Sequence, residues 1–189
     1  MENNDLIVFT DGSTINNGKK NAKAGFGVYW PYLNHLSGSY TLPNNEVQTN
    51  NRAEYRACIQ ALKQADEIDP NRNKKLIIYS DSMLLINSMT KWIYTWRKNN
   101  WKKADKNPVL NQDLLEILSS YIIGSTKIRN INWIHVQSHT GNTDWISVQN
   151  DIVDKLAKDG ANKSEGYIIE KKENIKNYRN IEDYFIKQI

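Results

Sequence analysis

The strongest constraint on this chain is the unbroken run LIVFT at residues 6–10, which ends on Asp11-Gly12. Five consecutive residues without polar alternation read as a buried strand, and the Asp-Gly pair reads as a turn. Residues 24–30 (AGFGVYW) put Phe26, Val28 and Trp30 on one face of a second strand, which Pro31 stops. Residues 36–42 make a third strand, and the turn-rich residues 15–23 join the first two, so an antiparallel meander is expected. The period then changes. Ala53, Ala57, Ala61 and Ala65, with Cys58 and Leu62, form one apolar stripe that predicts a helix over residues 50–66. Residues 76–79 (LIIY) predict a short buried strand running into Ser80-Asp81-Ser82. Helices are expected over 83–89 and 109–121, a strand over 128–136, and a last helix over 150–162. Three strands, helix, strand, helices, strand, helix is the order of an α/β (α+β) sandwich, a mixed sheet flanked by helices.

Composition excludes several alternatives. Of the 189 residues, 39% are hydrophobic and 24% charged, an ordinary balance for a folded domain. No apolar run is long enough for a membrane span, and the opening MENNDLIVFTDG does not read as a signal peptide. The single cysteine, Cys58, leaves neither a disulfide framework nor a cysteine zinc site. An intracellular, reducing compartment is therefore expected. Residues 91–106 hold Lys91, Arg97, Lys98, Lys102, Lys103 and Lys106 against one acid, Asp105. That is a local +5 in a chain of net +4, so everything else sums to −1. One concentrated basic patch on a nearly neutral chain points to a polyanionic partner.

Four carboxylates occupy unusual positions. Asp11 and Asp81 end the first and fourth strands, Glu54 lies in the first turn of a helix, and Asp154 near the start of the last helix. If strands one and four are neighbours, Asp11 and Asp81 project side by side, and the other two can close over them. Each acid taken singly also reads as a turn residue, a cap or a complement to a helix dipole. Four together would repel unless cations lay between them. An all-oxygen donor set selects Mg2+, with Mn2+ as a substitute, over zinc.

With those acids come FTDGS (9–13), AGFGVYW (24–30), QTNNRAEYRA (48–57), YSDS (79–82), KWIYTWRKNNWK (91–102), KNPVLNQDL (106–114), WIHVQSHTG (133–141) and NDIVDKLAKDGA (150–161). In this order and spacing the chain resembles type 1 ribonuclease H, nearest the eukaryotic catalytic domain, over about residues 5 to 162. The resemblance implies a ribonuclease H-like five-stranded sheet with a basic protrusion. It also implies an endoribonuclease that cuts the RNA strand of RNA–DNA hybrids with two Mg2+ ions. Asp11, Glu54, Asp81 and Asp154 would be both catalytic and metal-holding, His139 the loop histidine, and the products 5′-phosphate and 3′-hydroxyl ends. For the RNA strand it implies Asn16, Asn17, Asn50, Asn51 and Met83. For the DNA strand it implies Trp92, Trp96, Arg97, Lys98 and Lys102 on the protrusion, and Thr49 and Asn111 in a phosphate pocket.

Three departures stand out. The family's pocket arginine corresponds to Val47, and an aromatic of the DNA channel to Leu84. The histidine and the last acid are fifteen residues apart instead of ten, with NTDWISVQ after Gly141. That insertion is expected to enlarge a mobile active-site loop, and it makes Asp144 a rival of Asp154 as fourth ligand. Asp154 is preferred because it keeps helical spacing ahead of Leu156 and Ala157.

The domain is expected to span residues 1–163, followed by a charged, helical extension over 164–189 in which five acids balance five bases. A separate N-terminal hybrid-binding domain, with the processivity it would confer, is not expected, and neither is a membrane partner. The chain is expected to act as a monomer. The competing readings are a resolvase-like nuclease of the same fold and a non-catalytic hybrid-binding module.

Overall fold

In a computed structural model, residues 5–123, 128–138 and 141–167 are described. Five strands form one sheet in the order β3-β2-β1-β4-β5. The strands β1 (Leu6–Ile15), β2 (Lys23–Tyr29) and β3 (Gly38–Thr41) make the antiparallel meander, and β4 (Leu76–Ser80) and β5 (Ile131–His135) add in parallel beyond β1. The expected mixed sheet is the one observed, with strands one and four adjacent.

Alternation along the strands explains the two layers. Leu6, Val8, Ala24, Phe26, Val28, Leu76 and Ile78 pack beneath α1 (Asn50–Ile68), whose Ala53, Ala57, Ala61 and Ala65 are fully buried, with α4 (Gln112–Ile122) beside it. Ile7, Phe9, Ile77 and Tyr79 face the other way, toward Val153 of α5 (Trp145–Lys163). On β2 the second face is Gly25 and Gly27. A Cβ on Gly25 would lie 2.1 Å from the α5 backbone, so the glycine lets helix and strand touch main chain to main chain. Cys58 is buried in the α1 layer, and desolvation pushes its thiol up, as befits a core filler.

Of the boundaries that differ from expectation, two bear on the site. Asp11-Gly12 does not end β1. The strand continues to Ile15 because residues 9–15 pair with β2 in unbroken register, and the turn begins only at Asn16, with φ +54°. The inserted segment after Gly141 is largely helical. Asp144 caps α5 by accepting from the Ser147 amide at 3.1 Å and the Ser147 hydroxyl at 2.7 Å. The helix thus starts at Trp145, five residues before the expected position. Asp154 is consequently its tenth residue and lies in the third turn.

After β4, α2 (Met83–Asn87) is capped by Ser82, runs through one wide π turn at Ser88–Trp92 and continues as α3 (Ile93–Lys98). Tyr55 on α1 bonds Ser88 at 3.0 Å and ties this arm to the core. Ser164, at the expected start of the extension, is buried and donates to Gln48 at 3.2 Å. The extension beyond Tyr167 lies outside the described residues. Among those described, no helix is long and apolar enough to cross a membrane.

Candidate active site

The acids converge because of Gly12. A Cβ there would sit 2.5 Å from the Glu54 amide. Its absence lets the N-terminal part of α1 press against β1 at Ala53 and Glu54 and brings Glu54 beside Asp11. Glu54 is the fifth residue of the helix and so lies just beyond the first turn expected for it, which holds no acid. Asp81 follows directly on β4, the parallel neighbour of β1. One carboxylate oxygen from each of Asp11, Glu54 and Asp81 lies within 4.8 Å of the other two.

The electrostatic consequence is large. Burial and then the charges of Asp81 and Asp154 push Asp11 up from 3.8 to about 8. Burial, Asp11 and Asp81 hold Glu54 well above its ordinary range, and burial with the Asp154 charge raises Asp81. Glu54 Oε1 accepts from Asn50 Nδ2 at 3.4 Å, but Glu54 Oε2 is buried without a hydrogen-bond partner. A buried acceptor with no donor is costly, and a cation held among the three carboxylates would meet that need. The oxygen-only set fits a hard divalent ion such as Mg2+ or Mn2+.

Asp154 stands apart from this trio. It is near enough for its charge to act on Asp11 and Asp81, but its Oδ2 accepts from Lys158 Nζ at 2.7 Å. Its rival is committed elsewhere: both oxygens of Asp144 serve the α5 cap at an exposed position. His139 lies outside the described residues. His135, which sequence reasoning missed, ends β5 opposite Ser80, with Nε2 3.2 Å from the carbonyl of Asp81. The parallel register of β4 and β5 puts it there, and residue type alone gave no hint of that register.

The amides cluster at the same end of the sheet. The Asn50 amide donates to Asn17 Oδ1 at 3.4 Å, so one residue links the β1–β2 turn to Glu54. Asn16 holds the left-handed position of that turn, Asn51 is half-buried at the start of α1, and Met83 is exposed at the start of α2.

Thr49 caps α1, and Asn111, with φ +57°, precedes α4. Between them lies a guanidinium, although the family's pocket arginine corresponds to Val47 in this chain. Arg52 donates to Asn111 Oδ1 at 3.3 Å, Glu46 Oε2 at 2.7 Å and Asp113 Oδ2 at 2.6 Å. Burial disfavours its charge, but the hydrogen bonds of Asp113 and Glu46 outweigh this and hold it firmly protonated. Arg56 shares Glu46, so two arginines and two acids balance at this pocket.

On the protrusion, Lys91, Arg97, Lys98, Lys102, Lys103 and Lys106 are all exposed. Trp92 is exposed and lies 5.5 Å from the ring of Trp96, whereas Trp96 and Trp101 lean on the core. Leu84 also packs there.

The acids at adjacent strand ends offer a set of ligands that could hold a divalent cation, at one end of a five-stranded mixed sheet. A family model for RNase H matches residues 3–162. Ribonuclease H1 of Rattus norvegicus is 38% identical over 162 residues, covering 85% of this chain and 52% of the relative. Ribonuclease HI of Pasteurella multocida is 39% identical over 159 residues, covering 82% of this chain and 89% of that protein. The solution structure of the PFV RNase H domain superposes with a TM-score of 0.66 at 25% identity, over 84% of this chain and 95% of that one. The foamy viral protease–reverse transcriptase in complex with RNA/DNA hybrid gives 0.64 at 21% identity, over 84% of this chain and 20% of that one, a likeness of fold. The chain belongs to the RNase H family. It spans about half the length of the mammalian relative.

Proposed function

We propose that this chain is an endoribonuclease that hydrolyses the RNA strand of RNA–DNA hybrids, largely without regard to sequence. The observation that carries the reading is the trio Asp11, Glu54 and Asp81 within 4.8 Å, with Glu54 Oε2 buried and unpartnered. The names of the rat and Pasteurella relatives support the activity, and the hybrid held by the foamy viral enzyme supports the substrate.

Asp11, Glu54 and Asp81, joined by Asp154 once it leaves Lys158, would hold two Mg2+ or Mn2+ ions. Bound there, the ions supply activation of water and neutralisation of charge at the phosphate. The water oxygen bonds to phosphorus as the bond to the ribose 3′ oxygen breaks. The attacking water gives up one proton and the departing oxygen takes one up, leaving a 3′-hydroxyl and a 5′-phosphate. His139 is assigned to proton movement or product release.

The protein's other residues position the duplex. Asn16, Asn17, Asn50 and Asn51 offer both donors and acceptors for 2′-hydroxyls in the minor groove, and Met83 lies against the same strand. Because Asn50 touches Asn17 and Glu54 alike, RNA reading and acid placement share one residue. Thr49 and Asn111 meet a DNA phosphate beside Arg52. Trp92 and Trp96 pack on sugars, while Arg97, Lys98 and Lys102 face phosphates. Such contacts read shape and backbone, not base edges, so sequence tolerance follows. A monomer suffices for all of these contacts.

The test is Mg2+-dependent cleavage of a labelled hybrid beside single-stranded and duplex RNA of the same sequence. Cutting confined to the RNA of the hybrid is expected. Equal cutting of single-stranded RNA overturns the substrate assignment.

A further inference from the structure

The first residue of α5 closes the last rung that joins the two metal-facing strands. Backbone pairing between β1 and β4 stops at Phe9↔Tyr79. Asp11 and Asp81 lie two residues further on, about 6.6 Å along each strand, where β1 is paired to β2 alone and β4 has ended. The lateral relation of the two acids therefore depends on that final rung. Its side chains stack with ring centroids 4.5 Å apart and planes 8° from parallel.

Trp145 seals this pair. Its ring meets Phe9 edge-on at 5.7 Å and Tyr79 at 6.5 Å, and Tyr32 stacks on its outer side at 6.2 Å. Phe9 is wholly buried and Tyr79 nearly so, whereas Trp145 is 38% and Tyr32 66% exposed. The sealing residue thus sits between water and the rung. It belongs to the insertion after Gly141, and the Asp144 cap sets it at the head of α5.

We propose that Trp145 is a positioning residue for the Asp11–Asp81 pair: by clamping Phe9 on Tyr79 it fixes the separation of the two carboxylates. The proposal rests on the hybrid-cleaving, metal-dependent reading above. Loss of the clamp opens the rung to water and lets the end of β4 drift from β1. A displaced carboxylate weakens both ion binding and the chemical step, while the nucleic-acid contacts on α1 and the protrusion stay in place.

The experiment compares full-length Trp145→Ala and Trp145→Phe with the parent. It measures kcat and KM on a hybrid, and Mn2+ affinity by calorimetry without nucleic acid. For Trp145→Ala we expect a kcat and an Mn2+ affinity each ~10-fold lower, an unchanged KM, and recovery of most of both in Trp145→Phe. A Trp145→Ala protein with a lowered Tm but with kcat and Mn2+ affinity within about twofold of the parent overturns the proposal. If the alanine variant does not fold, Trp145→Leu carries the same measurements with the same two outcomes. If the parent itself fails to cut hybrid, the functional reading fails, and the Mn2+ arm still decides the role of Trp145.

Discussion

The behaviour of Asp11 carries a pH signature. Burial first, and then Asp81 and Asp154, raise its carboxyl from 3.8 to about 8. Between those values the folded protein holds a proton that the unfolded chain has lost. The stability of the metal-free protein therefore falls as pH rises through that window. On the proposed reading a divalent cation binds the deprotonated site and offsets the loss. The rise in Tm on adding Mg2+ should accordingly be larger near pH 8 than near pH 5, and an equal rise at both would contradict the assignment. The rival acids separate at the same scale. Asp154→Asn should lower the cleavage rate by orders of magnitude. Asp144→Asn should leave it almost unchanged, because asparagine also caps helices. The reverse ranking would place an ion in the inserted segment. Asp11, Glu54 and Asp81 were legible because they sit in short motifs around a glycine, a helix start and a strand end. Arg52 and His135 were not: one is recruited by Glu46 and Asp113, the latter distant in sequence, and the other by strand register.

The elements hold the acids through backbone contacts as much as through side chains. The alternation in AGFGV was visible as a strand, but what its glycines meet was not, since that depends on α5 arriving more than a hundred residues later. Gly160 faces the carbonyl of Tyr40, which a Cβ would approach to 2.2 Å. Gly160→Ala should therefore destabilise the fold by ~1–3 kcal/mol, the usual cost of forcing atoms into a packed interface. Thermal or denaturant unfolding checks this, and a neutral result would show that α5 can lift away freely. The early start of α5 was missed for a local reason. Asp144 and Ser147 form an N-cap pair, but they stand inside a polar stretch that reads equally well as loop. The end of β1 was misplaced in the same way: Asp-Gly is a turn signal in isolation, and pairing with β2 overrode it.

Taken whole, the molecule puts a buried cluster of acids at one end of the sheet and an exposed basic arm from Lys91 onward, beyond the short α2 that follows Asp81. Attraction of the duplex and chemistry on it are thus assigned to different parts. Replacing Arg97, Lys98, Lys102 and Lys103 together by Ala should raise KM and leave kcat nearly intact. It should also flatten the salt dependence by roughly 0.9 in log–log slope for each phosphate that is no longer neutralised. An unchanged slope would mean that the arm is only a solvated surface. The order of elements and the basic arm were readable in advance because periodicity and charge are local properties, whereas the Arg52 pocket and the aromatic seal under the acids arise only on folding. The central claim is that Asp81 helps to hold the cations that cut RNA. Its most direct measurement is Asp81→Asn, assayed for cleavage and for binding of the same hybrid. Cleavage should vanish while hybrid affinity stays within a few-fold of the parent, since the swap keeps shape and removes charge from the ion site. Appreciable Mg2+-dependent turnover by Asp81→Asn would contradict it.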